Sequence, residues 1–78
     1  MKYRDGREVR VGDRVQLWKN HHGTVVGSID SGKYSRDYPE AEWAYLKHGV
    51  LIQLDTGAIF HYEKADEDFE LIQPSAVP

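Results

Sequence analysis

Residues 9–29, VRVGDRVQLWKNHHGTVVGSI, decide the fold because they predict a strand, a tight turn, a second strand, a polar loop and a third strand. In residues 14–17, RVQL, polar and apolar side chains alternate, which is typical of a strand with one buried face. Gly12 and Asp13 suit the turn, since glycine tolerates positive φ and aspartate can bond the backbone two residues on. The β-branched run TVV at residues 24–26 suits a half-buried strand. This stretch predicts an all-β fold.

Length and composition limit the class of protein. The chain has 78 residues, enough for one small domain with a modest core. It contains no Cys, so neither disulfides nor thiolate metal sites support the fold. No apolar run approaches the roughly 18 residues of a membrane-spanning helix. We expect a cytoplasmic protein that does not enter a membrane.

The remaining strands are predicted downstream. Residues 50–63 form the clearest hairpin, with alternating apolar residues on both sides of the connection DTG. Residues 69–72, FELI, predict a last short strand. We therefore expect a single barrel domain over residues 1–72, with about five strands, and a disordered C-terminal tail over residues 73–78.

Residues 30–49 interrupt the strand pattern and predict an inserted helix. Pro39 suits a first helical turn and Gly49 the position just after a helix, so the spacing predicts a helix of about eight to nine residues. Trp43 and Leu46 fall on one apolar stripe, which predicts that they plug one open end of the barrel.

The same insert is rich in tyrosine, a residue enriched at protein interfaces. Tyr34, Tyr38 and Tyr45 can present a contact surface outward while Trp43 faces inward. The two interpretations of the insert are compatible, and both stay open.

Charge is distributed unevenly along the chain. Residues 1–36 carry a net charge of +4 and residues 37–78 carry −7, which gives −3 overall. Two interpretations stay open: a mixed solvated surface, since distant strands interleave in an antiparallel fold, or an acidic patch. The patch would consist of Glu63, Asp66, Glu67, Asp68 and Glu70.

Residues of the types used in catalysis and metal binding form no informative pattern. There is no Cys nucleophile, glycine-rich phosphate loop or helical His-Glu pair. A barrel this small fills its interior with side chains and leaves no pocket of enzyme size. We expect no enzyme activity, no cofactor and no small-molecule ligand. His21 and His22 point apart on an extended backbone, so no metal site is expected.

The run VGDRV at residues 11–15, followed by GTVV at residues 23–26, resembles the opening of SH3-like barrels, including the KOW type. The resemblance implies a small barrel and, as an alternative function, nucleic-acid binding. Two observations argue against that function: the net charge is negative, and the insert is longer than the tight connection usual in the KOW type. The candidate nucleic-acid contacts are Arg7, Arg10, Arg14 and Trp18.

The fuller pattern SIDxGxYSxxYPE, with WxYLKxGVLI and a later HY, resembles a group of small bacterial single-domain proteins associated with toxin immunity. The resemblance implies a non-catalytic module that binds another protein, in the form of an immunity protein that neutralises a partner toxin. The tyrosine-rich insert and the acidic half of the chain favour the same class, because together they complement a basic protein surface. The candidate contacts are Tyr34, Tyr38, Glu42 and Tyr45, with Asp66, Glu67, Asp68 and the outward-facing strand residue His61 as outer members.

Overall fold

A computed structural model describes residues 2–17, 20–63 and 69–75 of the chain. Within these residues six antiparallel strands form one sheet, and one short helix lies between the third and fourth strands. The mainly β architecture with one inserted helix is therefore confirmed. The strands are β1 (Arg14–Leu17), β2 (His21–Ser28), β3 (Lys33–Tyr34), β4 (Val50–Leu54), β5 (Ile59–Tyr62) and β6 (Glu70–Gln73), and the helix is α1 (Glu40–Trp43).

The sheet is open rather than closed into a barrel. Its strand order is β5-β4-β2-β1-β6, and the two-residue β3 pairs with the end of β2. No ladder joins β5 to β6 within the part of the chain that the structure describes, so the predicted closed barrel is not confirmed. The two edges approach through side chains instead: the rings of Tyr62 and Phe69 stack with their centroids 5.5 Å apart. This ring contact brings the two edges of the described sheet close together.

The core lies on the inner face of this sheet, as the alternating pattern predicts. Val15 and Leu17 of β1 are both fully buried, whereas their neighbours Arg14 and Gln16 are only partly covered. Phe60 packs against the same core from β5. The complete buried cluster consists of Tyr3, Val9, Val15, Leu17, Val25, Val50, Ile52, Leu54 and Phe69.

The outer face of the sheet is also partly covered, which the alternation in β4 does not predict. Leu51 is expected to face away from the core, yet only 1% of its surface is exposed. Gly27 of β2 pairs with Leu51 on one side and with Tyr34 of β3 on the other. A methyl group at Gly27 would lie 3.4 Å from Leu51 Cδ1 and 3.5 Å from Tyr34 Cδ2, so both side chains lie over this glycine.

The inserted helix is shorter than predicted. Pro39 has ψ of 151°, an extended conformation, and forms the N-cap rather than the first helical turn. The helical turn α1 tightens after Trp43 into a 3₁₀ turn, Ala44–Leu46, and Lys47 ends it with φ of 72°. Neither Trp43 nor Leu46 joins the core cluster; both are half-buried, so their predicted role as a barrel plug is not confirmed.

The described part of the predicted tail, residues 73–75, contacts the sheet, whereas residues 76–78 lie outside the described ranges. Gln73, the first residue of the predicted tail, belongs to β6, and the Ser75 amide donates to Asp13 Oδ1 at 2.7 Å. The sheet therefore extends into the predicted tail. Among the described residues, no helix has the length and apolar character needed to cross a membrane.

Candidate protein-contact surface

The two ends of the insert are joined at its base by Asp30 and Gly49. The Gly49 amide donates to Asp30 Oδ1 at 3.0 Å, and the Gly49 carbonyl accepts from the Ile29 amide at 2.9 Å. The hydrogen bond from Gly49 holds the pKa of the Asp30 carboxyl below its ordinary value, because it stabilises the charged form. These bonds close the insert into a loop whose ends cannot drift apart without breaking them.

Gly49 occupies a position where any side chain would strain the structure. Its φ is +98°, a region that side chains disfavour, and a Cβ there would collide with the Tyr62 carbonyl oxygen. The His61 imidazole also lies close, with Nε2 2.9 Å from that Cβ position. Glycine therefore allows the insert to pack directly against β5, and its role exceeds that of the helix terminator predicted from the sequence.

Two histidines connect the insert to β5. His61 Nε2 lies 2.7 Å from the His48 carbonyl oxygen. A carbonyl can only accept, so Nε2 carries the proton in this contact. His48 Nε2 lies 3.1 Å from Glu63 Oε2, and both of these side chains are exposed. His61 is half-buried. Its hydrogen bond to the His48 carbonyl attaches the end of the insert to β5.

The three candidate tyrosines do not share one environment. Tyr45 is 70% exposed on the 3₁₀ turn. Tyr38 is half-buried and lies against Trp43, with ring centroids 6.0 Å apart and planes tilted by 44°. Tyr34 is half-buried over Gly27; this partial burial raises the pKa of its hydroxyl, and the charge of Glu40 raises it further. Only Tyr45 presents most of its surface to a partner.

Trp43 carries a polar group that the insert leaves unsatisfied. Its Nε1 is buried and has no hydrogen-bond partner among the described residues. A buried donor without an acceptor destabilises a fold by about 1–3 kcal/mol. The contact between the Trp43 and Tyr38 rings is therefore made while the Trp43 Nε1–H group forms no hydrogen bond within the described residues.

Acidic side chains are exposed on and beside the insert. Glu40 and Glu42 lie in the first turn of α1, where carboxylates interact favourably with the amide end of a helix. Both are exposed, as is Glu63 beside His48. The outer candidates Asp66, Glu67 and Asp68, together with Trp18 of the alternative set, lie outside the described residues.

Two of the three described arginines proposed for nucleic-acid contact are held in ion pairs. Arg7 Nε donates to Asp5 Oδ2 at 2.8 Å. Arg14 forms a fork on Asp55, with Nη1 2.8 Å from Oδ1 and Nη2 2.9 Å from Oδ2. These arginines hold the pKa of both Asp5 and Asp55 below the ordinary value. A phosphate would have to displace a carboxylate at each.

Arg10 is exposed. Its backbone is anchored instead: the amide donates to Asp13 Oδ2 at 3.0 Å and the carbonyl accepts from the Asp13 amide at 3.1 Å. The side chain is therefore presented from a fixed turn. It forms part of the wall of a surface groove.

Sequence reasoning missed two features of the molecule. Asp13, predicted only as a turn residue, is 2% exposed and accepts hydrogen bonds from three parts of the chain, among them the Tyr3 hydroxyl at 2.6 Å. Burial and the bond to Asp13 raise the pKa of Tyr3 well above its ordinary value. The second feature is the groove, about 590 Å³ in volume, between residues 8–12 and the turn after β2. It lies at the sheet margin and outside the core, whereas the expectation of a filled interior concerned the core alone.

Within the described ranges, no group of three or more His, Asp or Glu side chains is arranged to hold a metal ion. No protein-family model, curated protein or solved structure matches this chain.

Proposed function

We propose that this protein is a non-catalytic protein-binding module whose contact surface is the outer side of the insert, centred on Tyr45. The observation that carries the proposal is the exposure of Tyr45, 70%, on a turn that is fixed at its base. Exposing a large aromatic ring to water is unfavourable in free energy. Tyrosine combines such an apolar ring with a hydroxyl that can form a hydrogen bond with a partner. Such residues are common among the anchors of protein interfaces.

The fixed base of the insert supports this role. The Asp30–Gly49 bonds and the His61–His48 contact hold the turn against β5 before any partner arrives. A surface that is already ordered loses less conformational entropy on binding, which favours affinity. The insert therefore presents Tyr45 from a pre-organised site, despite its short helical content.

The acidic side chains exposed on and beside the insert indicate the kind of partner. Glu40, Glu42 and Glu63 are exposed near or beside the insert, and the chain carries a net charge of −3. Complementary charge steers association and fixes orientation, so we propose a basic protein surface as the partner. The most specific form of the proposal is a cytoplasmic immunity protein on an SH3-like barrel, which binds and neutralises a basic toxin.

Nucleic-acid binding is the weaker alternative. Arg7 and Arg14 are each bound to an aspartate, which reduces the positive charge available to phosphates. Non-specific binding to nucleic acid depends on unneutralised cations and falls steeply with salt. The alternative enters the experiment below as one of its outcomes.

The proposal is tested by capturing partners on the tagged protein, with and without nuclease, and then measuring binding of the purified partner by calorimetry. Tyr45→Ala is expected to weaken binding by about 30-fold, equivalent to about 2 kcal/mol for an interface anchor. The matched control is Ile72→Ala, since Ile72 is 51% exposed on β6, away from the insert. Unchanged binding by Tyr45→Ala would reject the surface. Partners lost on nuclease treatment would favour the nucleic-acid alternative.

A further inference from the structure

The groove at the margin of the sheet is a second surface feature, separate from the insert. Residues 8–12 form one wall, and Ser28, Ser31 and Lys33 form the other. Its volume, about 590 Å³, lies within the range of about 300–1,000 Å³ that is common for small-ligand sites. Neither α1 nor Tyr45 lines it, so it is independent of the proposed contact surface.

The first wall is fixed by the turn that precedes β1. The Gly12 amide donates to the Val25 carbonyl at 2.8 Å, and Gly12 has φ of +96°. A Cβ added at Gly12 would lie 2.6 Å from the Ser75 hydroxyl oxygen, so Ser75 packs closely against this wall. The groove therefore does not depend on a ligand to form.

The second wall is fixed by the turn between β2 and β3. Ser28 is 1% exposed and its hydroxyl donates to Ser31 Oγ at 3.1 Å. The Gly32 amide donates to the Ile29 carbonyl at 3.2 Å and closes the turn. Since Ser31 accepts from Ser28, its own hydroxyl proton is directed elsewhere and can be donated to a ligand.

The lining combines an apolar surface with positive charge. Val11, which is half-buried, supplies aliphatic contact on the first wall, whereas Val9 beside it faces the core. Arg10 and Lys33 supply one cation from each wall, against the single carboxylate of Glu8. A local excess of cations on a chain of net charge −3 is the opposite of the overall balance. This local positive charge attracts an anionic ligand.

We propose that this groove binds an amphipathic carboxylate, with the aliphatic body along Val11 and the carboxylate between Arg10 and Lys33. The Ser31 hydroxyl donates a further hydrogen bond to the carboxylate. Both parts of the ligand are required, because exposed ion pairs alone contribute little affinity. The chemistry can be supplied by a free aliphatic acid or by an acidic side chain beside an aliphatic one in a peptide.

The proposal is tested by amide chemical-shift mapping on the full chain with three small probes. Octanoate carries both features, acetate carries only the charge, and octylammonium carries the apolar body with the opposite charge. Octanoate is expected to give saturable shifts confined to residues 8–12 and 28–33. The other two are expected to give at least about tenfold weaker effects, since each lacks one contribution. Equal effects from octanoate and octylammonium, or shifts outside the groove, would overturn the proposal.

Charge variants separate the groove from the rest of the surface. Arg10→Ser and Lys33→Ser, both at exposed positions, are each expected to weaken octanoate binding by about three- to fivefold, as for an exposed charge pair. Arg36→Ser removes the same charge outside the groove and is expected to leave binding unchanged. If Arg36→Ser weakened binding equally, the attraction would be non-specific and the proposal would fail.

The source of the carboxylate is assigned by a fourth probe, the acetylated peptide amide Val-Glu-Val. Tighter saturation by the peptide than by octanoate would assign the site to a protein segment, and the reverse order would assign it to a free acid. Either result retains the amphipathic carboxylate. Absence of saturable binding by both would reject it.

Discussion

Asp13 and Asp30 both accept backbone hydrogen bonds in turns, yet they stabilise different parts of the molecule. Asp13 is 2% exposed and joins three separate parts of the chain through Tyr3, Arg10 and Ser75. Asp30 is exposed, and its bond to Gly49 closes a single surface insert. The first aspartate organises the scaffold, and the second positions the proposed contact surface.

The difference shows how burial sets the importance of the same side chain. When a buried acceptor is removed, its donors stay in the protein interior without partners, and each costs the free energy of desolvation. When an exposed acceptor is removed, water takes its place. Scaffold and contact surface should therefore respond separately to mutation.

The largest expected effect is on Asp13. Asp13→Ala leaves the Tyr3 hydroxyl and two amides without their acceptor, so we expect a loss of about 3–6 kcal/mol in the free energy of unfolding. Asp30→Ala is expected to cost about 0.5–1.5 kcal/mol, as for a solvated hydrogen bond. Urea unfolding followed by tryptophan fluorescence measures both. Equal losses would contradict the distinction between the two turns.

If Asp13→Ala does not fold, Tyr3→Phe tests the same site more gently. It keeps the ring stack on Phe69, with centroids 5.4 Å apart, and removes one donor to Asp13. We expect a loss of about 1.5–3 kcal/mol, the range for a hydrogen bond to a charged group. No measurable loss would mean that the cluster around Asp13 contributes nothing to stability.

The next effect concerns the base of the insert. Gly49 and Gly57 share a φ of +98°. A Cβ added at Gly49 would collide with the Tyr62 backbone, whereas a Cβ added at Gly57 would have no atom within 4 Å. Gly57→Ala is expected to cost about 1–2 kcal/mol, from the left-handed conformation alone. Gly49→Ala is expected to cost about 2–4 kcal/mol, because the collision adds to that strain. Thermal unfolding compares the two variants, and equal costs would show that the insert does not pack against β5.

The scaffold was largely predictable from the sequence because its signals are local. Strict alternation in β1 placed Val15 and Leu17 in the core, and both are fully buried. The turn glycines before β1 and after β4 were predicted in the same way. Closure of the barrel was not predictable, because whether two edges form a ladder depends on the curvature of the whole sheet.

The remaining features depend on contacts between residues far apart in the chain. Tyr3 is 10 residues from Asp13, and Ser75 is 62 residues from it, so no local pattern marks Asp13 as a junction. Leu51 and Tyr34 both lie over Gly27, and β3 brings Tyr34 there by pairing with β2. For the candidate site, the sequence identified the tyrosines but could not separate the exposed Tyr45 from the half-buried Tyr34 and Tyr38.

A smaller effect appears at acidic pH. The Gly49 bond lowers the folded-state pKa of Asp30, so this carboxyl stabilises the fold above its unfolded-state pKa. The contribution is lost as the pH falls from about 5 through the ordinary range of aspartate toward the lower folded-state pKa. Asp30→Asn should therefore flatten the dependence of stability on pH in this window. The control Asp37→Asn changes another exposed aspartate of the insert, and an equal flattening there would contradict a specific role for Asp30.

The smallest effect on stability is expected at Tyr45, where the proposed effect on binding is greatest. Its side chain is 70% exposed, so Tyr45→Ala should change the free energy of unfolding by less than about 0.5 kcal/mol. Tyr38→Ala should cost about 1–2 kcal/mol, because the ring contact with Trp43 is lost. Urea unfolding separates the two. A Tyr45→Ala loss as large as that of Tyr38→Ala would mean that Tyr45 supports the insert. A negligible loss, combined with weakened partner binding, would assign the lost affinity to direct contact, because the fixed base of the insert would be intact.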